Sequence, residues 1–408
     1  MRILVVTQYF WPENFRVNDL VQGLCERGHQ VTVLTGLPNY PGGRVFPGYG
    51  FFSKLREHYA GADVIRVPLI PRGSGGAVRL VLNYFSFALA ASVLGPLRCR
   101  GKKFDAIFVH EPSPITVGLP AIVLKKIKRA PILFWVLDLW PESLTAAGSL
   151  RAPWLLHWVE GLVRWIYRHC DRLLMQSRGF FTHAEHLGVE AQRLRYFPNW
   201  AENIYRPVGR EPAVPVACPT LPDGFRVMFA GNVGVAQDMP TLLAAAEKLK
   251  SFADIHWVIV GEGRMSSWVN LEIERRGLRK NVHVFGHHPP EVMPTLFAQA
   301  DAMLVSLKRE PVFELTVPAK LQAYLACGRP VIGALQGEGA RIISEAGAGV
   351  VCSPEDAEAL AQAVLRLYQM TGEERAAMGT AGRIYYEANF EREMLFDNLE
   401  QWMNELVE

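Results

Sequence analysis

Short apolar runs alternate with amphipathic stretches along most of the chain. Residues 3–7 and 31–34 are β-branched runs, and residues 18–27 between them have the spacing of a helix. The alternation continues through the apolar runs 105–109 and 132–137. Strands without polar alternation are typical of a parallel sheet that helices cover on both faces. The pattern therefore predicts a doubly wound α/β domain.

A proline-rich segment, residues 213–223, interrupts this alternation, and a second series of apolar runs follows it. Residues 239–250 have helical spacing. Short strands are predicted at residues 225–230, 255–260, 281–285, 302–306, 331–333 and 349–351. We therefore predict two α/β domains, residues 1–210 and 211–390. Residues 391–408 form an amphipathic final helix, which we expect to pack back on the first domain.

The composition is that of a globular protein. Of the 408 residues, 50% are hydrophobic and 20% are charged, and the net charge is +3. So small a net charge gives no reason to expect a nucleic-acid partner. Residues 98–129, however, contain eight lysines and arginines against two acids. Such a stretch is typical either of a solvated surface or of a face that meets anionic lipid or phosphate.

The six cysteines are scattered and form no CxxC pair, which argues against a zinc site and against a disulfide framework. This usage is typical of a reducing compartment. The first residues, MRILVV, run directly into a predicted strand, without the basic leader and long apolar region of a signal peptide. The sequence therefore predicts a cytoplasmic protein without a metal site.

The glycines indicate which domain binds a nucleotide. The turn after the first strand, residues 8–14, reads QYFWPEN and lacks the glycines of a dinucleotide-binding GxGxxG loop. In the second domain, GNVG at residues 231–234 and GEGR at residues 261–264 each follow a predicted strand directly. Glycines at strand ends let a ligand lie against the backbone. Nucleotide binding is therefore predicted for the second domain.

A third segment of the second domain, residues 306–320, carries an unusual group of cations. Lys308 and Arg309 follow a predicted strand, and Lys320 lies in the first turn of a helix predicted to begin at Pro318. Helix starts favour acidic residues because the helix dipole is positive there. Lysine at this position indicates a bound anion, for which a diphosphate is the natural candidate, or else a solvated side chain.

In this order, the motifs FAGNVG, VIVGEG, NVHVFG and LACGRPVI resemble the C-terminal domain of family 4 glycosyltransferases. In the first domain, VVTQYFWPE, VLTGLPNYPGG and VLDLWPESL are similar to a bacterial subgroup that builds O-antigen, capsule or colanic-acid-like polymers and includes N-acetyl-L-fucosaminyltransferases. The resemblance covers nearly the whole chain. It implies the α/β GT-B architecture, with two Rossmann-like doubly wound domains facing a cleft, and a reaction that retains the anomeric configuration without a required cofactor.

The resemblance also implies a nucleotide-sugar donor site in the second domain. The glycine loops, the surroundings of the base and the cations at the diphosphate would contribute Gly231, Asn232, Gly234, Glu262, Arg264, Phe285, His287, Lys308, Arg309 and Lys320. The sequence departs from the family at its Glu-x7-Glu motif, where Glu314 lies near the first glutamate and Ala323 stands at the second. Glu314 is expected to orient the donor sugar, and the partner of the ribose is left open.

The acceptor is expected to bind loops of the first domain. His110 and Glu111 directly follow one predicted strand, and Asp138 and Glu142 follow the next. His110, Asp138 or Glu142 could take the proton of the acceptor hydroxyl; we favour Asp138, and a helix cap is an equal alternative for Glu142. The predicted catalytic residues are Asp138, His110 and Glu314, and the predicted acceptor-binding residues are Trp11, Glu13, Asn14, Glu111 and Glu142.

Two features of the first domain suggest a membrane surface, although core packing is the commoner interpretation of such features. Residues 80–97 carry no charge, and this run approaches the length of a membrane span. Trp154, Trp158 and Trp165 share one helical stripe with arginines nearby, as at the lipid headgroup level. We predict a protein peripheral at the inner face of the cell membrane, with a polyprenyl-diphosphate-linked sugar as its acceptor.

The most specific prediction is a retaining glycosyltransferase that moves a sugar, for which N-acetylfucosamine is a candidate, from a UDP-linked donor to that acceptor. Two alternatives stay open. One is a nonhydrolysing UDP-sugar 2-epimerase of the same fold, which would need acidic and basic residues placed for elimination. The other is a two-lobed protein that binds a ligand without chemistry and for which secretion would be expected.

Overall fold

The computed structural model describes residues 1–73, 76–146, 152–209 and 219–407. The chain forms two compact units. Unit 1 comprises Met1–Pro198 and Leu395–Glu408, and unit 2 comprises Asn199–Met394. The predicted domain boundary at residues 210–211 falls within the segment 210–218, which lies outside the described residues.

Unit 1 is an α/β unit with an eight-stranded sheet. Its strands are β1 (Arg2–Val6), β2 (Gln30–Gly36), β3 (Arg56–Tyr59), β4 (Ala62–Val67), β5 (Ala106–Glu111), β6 (Ile132–Val136), β7 (Arg172–Met175) and β8 (Leu194–Tyr196). Its helices are α1 (Arg16–Glu26), α2 (Ala77–Arg98), α3 (Gly118–Lys128), α4 (Glu142–Ala146), α5 (Pro153–His169) and α6 (Gly179–His186). The strand order is β3-β4-β2-β1-β5-β6-β7-β8.

The central strands of unit 1 are apolar because both faces of the sheet are covered. Every residue of β5 and β6 is buried, and all neighbouring strands run parallel except the edge pair β3–β4. The predicted parallel α/β sheet is therefore confirmed, with one antiparallel edge strand that the apolar pattern did not indicate.

Unit 2 repeats this construction with a six-stranded sheet. Its strands are β9 (Phe225–Ala230), β10 (Ile255–Val260), β11 (Val282–Gly286), β12 (Ala302–Ser306), β13 (Val331–Ala334) and β14 (Gly349–Cys352). Its helices are α7 (Met239–Lys248), α8 (Ser266–Arg275), α9 (Met293–Gln299), α10 (Pro311–Leu315), α11 (Ala319–Ala326), α12 (Glu338–Glu345), α13 (Ala357–Gln369) and α14 (Gly372–Asn389). All paired strands are parallel, in the order β11-β10-β9-β12-β13-β14.

The strand order reverses once in each parallel sheet, between β1 and β5 in unit 1 and between β9 and β12 in unit 2. At such a point, the loops on the two sides of the reversal diverge and leave a crevice at the carboxyl ends of the strands. Ligands of doubly wound folds bind there. A ligand of either unit is therefore expected at the loops beside its reversal point.

The final helix, α15 (Arg392–Val407), begins in unit 2, and from Leu395 onward it belongs to unit 1. Glu400 accepts a hydrogen bond from Arg27 Nε over 3.1 Å and lies 2.7 Å from His29 Nε2. Trp402 packs edge-on against Phe197, with ring centroids 6.0 Å apart. The apolar side of α15 therefore completes the core of unit 1.

We expect Leu399→Ala to destabilise unit 1 by about 2–5 kcal/mol, because Leu399 is fully buried on α15 and its truncation leaves a cavity. Urea unfolding followed by circular dichroism measures the loss. Asn404→Ala on the same helix is the control, since Asn404 is exposed. Equal stabilities of the two variants would show that α15 adds nothing to the core.

Candidate donor and acceptor sites

The loops at the carboxyl ends of β9, β10 and β11 are joined by backbone hydrogen bonds. Val233 N–H donates to the carbonyl of Glu262 over 3.0 Å, and Gly261 N–H donates to the carbonyl of Gly286 over 2.7 Å. The GNVG and GEGR loops and the end of β11 therefore form one continuous backbone surface. This surface begins at β9, beside the point where the strand order of unit 2 reverses.

Two glycines allow the close approach of these loops. Gly261 has φ +128°, and a Cβ atom on it would lie 2.0 Å from the carbonyl oxygen of Gly231. Gly231 has φ +127°, and a Cβ atom there would lie 3.3 Å from Lys320 Nζ. Residues other than glycine rarely adopt these φ angles, and neighbouring atoms already occupy the space. The structure thus brings the GNVG loop and Lys320 together.

Lys320 lies in the first turn of α11. Its Nζ is buried, lies 3.6 Å from the centroid of the Phe229 ring and has no hydrogen-bond partner in the described part of the chain. Burial lowers the pKa of Lys320 to about 7. A buried ammonium group normally has a counter-ion or several hydrogen bonds. An anionic ligand beside Gly231 would supply both.

The segment after β12 is tied to the loop after β9. Lys308 N–H donates to the carbonyl of Ala236 over 2.9 Å, and Ser306 Oγ donates to the carbonyl of Gln237 over 2.7 Å. These bonds place the cationic segment at the reversal point of the sheet. Lys308 is half-buried there, and Arg309 is exposed.

Glu314 lies on α10 and is exposed. It lines one small crevice together with Lys308, Arg309 and Phe313. The predicted acidic and basic residues of this segment are therefore neighbours. A carboxylate next to two cations can accept hydrogen bonds from sugar hydroxyls while the cations face phosphate.

The remaining predicted donor residues lie on the loops after β9, β10 and β11. Asn232, Glu262, Arg264 and His287 are exposed, Phe285 is half-buried and Gly234 is buried. The neighbouring His288 has a buried Nε2 without a hydrogen-bond partner in the described residues. The described ranges contain no group of three or more histidines, cysteines or acids suited to a metal ion.

In unit 1, β5 runs through Glu111, because His110 and Glu111 pair with Trp135 and Val136 of β6. The predicted loop position of His110 and Glu111 is therefore wrong, and both residues are buried inside the sheet. His110 Nδ1 lies 3.1 Å from Thr7 Oγ1. Burial lowers the pKa of His110 to about 3, so its imidazole is neutral and a poor proton acceptor near pH 7.

Glu13 is buried and binds the backbone around it. Its carboxylate accepts hydrogen bonds from three N–H groups, those of Phe10 (3.2 Å), Asn39 (2.7 Å) and Tyr40 (2.7 Å). Burial raises the pKa of Glu13 to about 7, although these bonds oppose the shift. Glu13 thus fixes the first turn, on which the other predicted acceptor residues, Trp11 and Asn14, are exposed.

Asp138 follows β6 at the carboxyl edge of the sheet. Burial raises the pKa of Asp138 to about 6, and the nearby side chains of Ser143 and Trp140 oppose this shift. Glu142 begins α4, and its Oε1 lies 3.5 Å from His183 Nδ1 on α6. Asp138 is therefore ionised at neutral pH and positioned at a strand end, as a general base requires.

Several residues of these sites had no sequence signal. Phe229 is one of the regular apolar residues of β9, yet its ring lies under Lys320. His183 reaches Glu142 from a helix 41 positions further along the chain. Residues so far apart in the sequence follow no local periodicity, so a sequence pattern cannot predict their contact.

The chain matches two family models in sequence. Residues 14–200 match the glycosyl transferase 4-like domain, and residues 224–370 match the domain of glycosyl transferases group 1. The first match covers most of unit 1 and the second covers the sheet of unit 2. Together the two models account for most of the chain.

The chain is 25% identical to the putative colanic acid biosynthesis glycosyl transferase WcaI of Escherichia coli K12, over 97% of this chain and 99% of the relative. It is 29% identical to the probable glycosyltransferase WbjE of Pseudomonas aeruginosa, over 63% of this chain and 64% of the relative. The crystal structure of Anabaena Alr3699/HepE in complex with UDP has the same fold, with a TM-score of 0.69 and 13% identity over the full length of both chains. The predicted GT-B fold is thus confirmed, and the chain belongs to the glycosyltransferases that join a glycosyl transferase 4-like domain to a group 1 domain.

Proposed function

We propose that unit 2 binds a nucleotide sugar with its diphosphate at Lys320, and that the sugar is transferred to an acceptor held by unit 1. The proposal depends mainly on one observation: the Lys320 Nζ is buried beside Gly231. This Nζ has no hydrogen-bond partner in the described residues. Lys308 and Arg309 add positive charge after β12. Negative charge grows on the diphosphate as it leaves, and fixed cations stabilise that charge without a metal ion.

UDP is the nucleotide that we propose, because the similar fold of HepE was crystallised with UDP. Its base would lie near Glu262, Arg264, Phe285 and His287, on the loops that adjoin the GNVG loop. Glu314 would orient the sugar. The backbone of Gly231, Asn232 and Gly234 would line the path of the diphosphate.

We infer that the product is a bacterial surface polysaccharide, because the full-length relative WcaI is named for colanic acid biosynthesis. A polyprenyl-diphosphate-linked sugar as acceptor and an N-acetylfucosamine-like donor sugar agree with the motifs of the first domain. Membership of the glycosyltransferases favours transfer over the two alternatives, a UDP-sugar 2-epimerase and a two-lobed binding protein without chemistry.

Asp138 is the base in this proposal. Its carboxylate takes the proton of the acceptor hydroxyl while the acceptor oxygen bonds to the anomeric carbon and the bond from that carbon to the diphosphate breaks. The new bond forms on the face that the diphosphate leaves, so the configuration is retained. Trp11, Asn14 and Glu142 are the accessible side chains that would hold the acceptor.

We propose that α2 attaches unit 1 to the membrane surface without spanning it. In the described ranges, α2 is the single helix long and apolar enough for a span by length and composition. One side of α2, with Phe87 and Ala91, is fully buried, but Val78, Leu89 and Leu97 are 75%, 68% and 65% exposed. A helix with one buried side and one exposed apolar side fits an interfacial position.

The tryptophans of α5 lie on the same side of the sheet as α2, because α2 packs on α3 and α3 packs on α5. Trp154 is 74% exposed, and Trp158 and Trp165 are also exposed. Lys126 and Arg129 are exposed at the end of α3. Exposed indole rings and cations beside an apolar stripe suit the headgroup level of an anionic membrane.

Lys320→Ala is expected to weaken UDP binding at pH 7 by about 10- to 100-fold, the loss for one charge-assisted contact to phosphate. Isothermal titration calorimetry measures the affinity. Lys280→Ala is the control, since Lys280 is an exposed lysine of the same unit and its removal changes the net charge equally. The assignment of the diphosphate site fails if both variants bind UDP as wild type does.

We also expect the UDP affinity of the wild type to fall as the pH rises from 7 to 9. In the empty site Lys320 loses its proton above its pKa of about 7, whereas a bound diphosphate favours the charged form and raises that pKa. Binding then takes up a proton, and the affinity falls by at most about tenfold per pH unit. Ionisation of UDP itself affects wild type and Lys320→Ala alike, so the slope of affinity against pH should be smaller in Lys320→Ala than in the wild type. Equal slopes in the two proteins would exclude Lys320 as the titrating group.

Flotation with vesicles that contain anionic lipid tests the membrane proposal. We expect the protein to float at low salt, and high salt should reduce but not abolish flotation, because salt screens the cations and not the apolar stripe. The double variant Phe85→Ser and Leu89→Ser should lose the salt-resistant part. Ile384→Ser, an exposed apolar position on α14, is the control. If the wild-type protein stays unbound at low salt, the membrane proposal is overturned and the proposed sugar transfer is unaffected.

A further inference from the structure

Unit 1 has a cavity of about 630 Å³ at the amino edge of its sheet. Its walls are the ends of α3 and α5, the segment before β8 and the last turn of α15. Because α3 and α5 end shortly before β6 and β7 begin, this edge is the one opposite to the acceptor loops. Asp138 follows the other end of β6. A ligand in this cavity is therefore separate from an acceptor at Asp138.

Positive charge dominates the lining of this cavity, which contains six lysines and arginines against two acids. The cations are Lys125, Lys126, Arg168, Arg172, Arg193 and Arg195. Pockets that bind small ligands have volumes of about 300–1,000 Å³, a range that includes this cavity. A concave surface lined by one sign of charge concentrates ions of the opposite sign. The cavity therefore suits an anion.

The acids around the cavity already have partners. Asp171 Oδ2 lies 2.6 Å from Lys125 Nζ. Glu405 Oε2, at the end of α15, lies 3.7 Å from Arg172 Nη2 and 3.5 Å from Arg195 Nη2. One carboxylate shared by two guanidinium groups leaves a net positive charge, so these pairs join the walls without neutralising the cavity.

Four of the cations have unused donors. Lys126 and Arg168 are exposed and form no ion pair in the described part of the chain. The side chain of Arg193 donates only to backbone carbonyl groups in the hydrogen bonds observed. Arg172 Nε is buried without a hydrogen-bond partner among the described residues. A phosphate group has several acceptor oxygens and a negative charge, and arginine and lysine bind it by charge-assisted hydrogen bonds.

One wall of the cavity continues the tryptophan stripe of α5. At about 3.6 residues per turn, His169 falls on the same side of the helix as Trp154 and Trp165. The rings of Trp165 and His169 are in contact, with centroids 4.3 Å apart. His169 lines the cavity, whereas Trp165 is exposed. A membrane in contact with these indole rings therefore brings lipid phosphate groups to the cavity.

We propose that this cavity binds the phosphate group of an anionic lipid and so fixes how unit 1 lies on the membrane. The inference rests on the proposed membrane attachment of unit 1. Helix α5 runs from the carboxyl edge of the sheet to the cavity over 17 residues, about 25 Å. A lipid held at its end therefore orients the acceptor loops, at the opposite edge, relative to the same membrane. A free phosphate ion has the same chemistry but would leave the exposed tryptophans of α5 uncovered.

The double variant Lys126→Gln and Arg168→Gln removes two exposed cations of the cavity, so the fold should survive. At physiological salt, its affinity for phosphatidylcholine vesicles that contain phosphatidylglycerol should fall by about tenfold or more, because two contacts to lipid phosphate are lost. Sedimentation with the vesicles measures the affinity. UDP binding by unit 2 should be unchanged, which checks that the protein is intact.

The matched control is the double variant Arg100→Gln and Lys103→Gln. It removes the same two residue types from exposed positions of unit 1 outside the cavity. Because salt screens charges that do not contact the lipid, the loss of vesicle affinity should be less than about threefold. An equal loss in the two double variants would show attraction by overall charge and overturn the proposal.

Titration with inorganic phosphate, without vesicles, tests the other source of the same chemistry. We expect weak binding, since the ion lacks the apolar part that the tryptophans contact. Tight phosphate binding that the cavity variant loses, together with unchanged vesicle affinity of that variant, would assign the site to a free anion and overturn the lipid proposal. A wild-type protein that binds no vesicles would refute membrane attachment and this inference together, whereas an equal loss in both double variants refutes only the cavity.

Discussion

The buried ammonium group of Lys320 is the constraint on which the proposed donor site of unit 2 depends. Its Nζ lies on the Phe229 ring, away from water and without a hydrogen-bond partner in the described residues. Burying a cation in this way destabilises the empty protein and lowers the pKa of the group to about 7. A bound diphosphate would remove this penalty. An unpaired buried cation does not stabilise the fold, and this is why we propose that Lys320 binds an anionic ligand.

The parallel sheets determine where this chemistry lies. In unit 2 the order reverses between β9 and β12, and both the GNVG loop after β9 and the cations after β12 lie at that point. In unit 1 the reversal lies between β1 and β5, where Thr7 meets His110. Asp138 follows the next strand, β6. The reversal point of each unit thus has a residue whose pKa is lowered by burial, Lys320 in unit 2 and His110 in unit 1.

The apolar pattern predicted the two parallel α/β folds because strands buried on both faces leave a clear signal, and Lys320 was found because a cation at a helix start is anomalous. The predicted end of β5 was wrong, because pairing with β6 extends β5 to Glu111. That pairing joins residues far apart in the sequence. The antiparallel β3 is short and half-exposed, so it has no apolar run. Phe229 looks like an ordinary core residue in sequence, and only packing shows that Lys320 lies over its ring.

The proposed reaction sets opposite requirements on the two units. Asp138 must be ionised to take a proton, which holds above its pKa of about 6. Lys320 must be charged to stabilise the leaving diphosphate, which in the empty site holds below about 7 and, once an anion is bound, to higher pH. Burial causes both shifts: it raises the pKa of the Asp138 carboxyl group and lowers the pKa of the Lys320 ammonium group. The same desolvation that strengthens each interaction with substrate therefore narrows the pH range in which both groups carry their working charge.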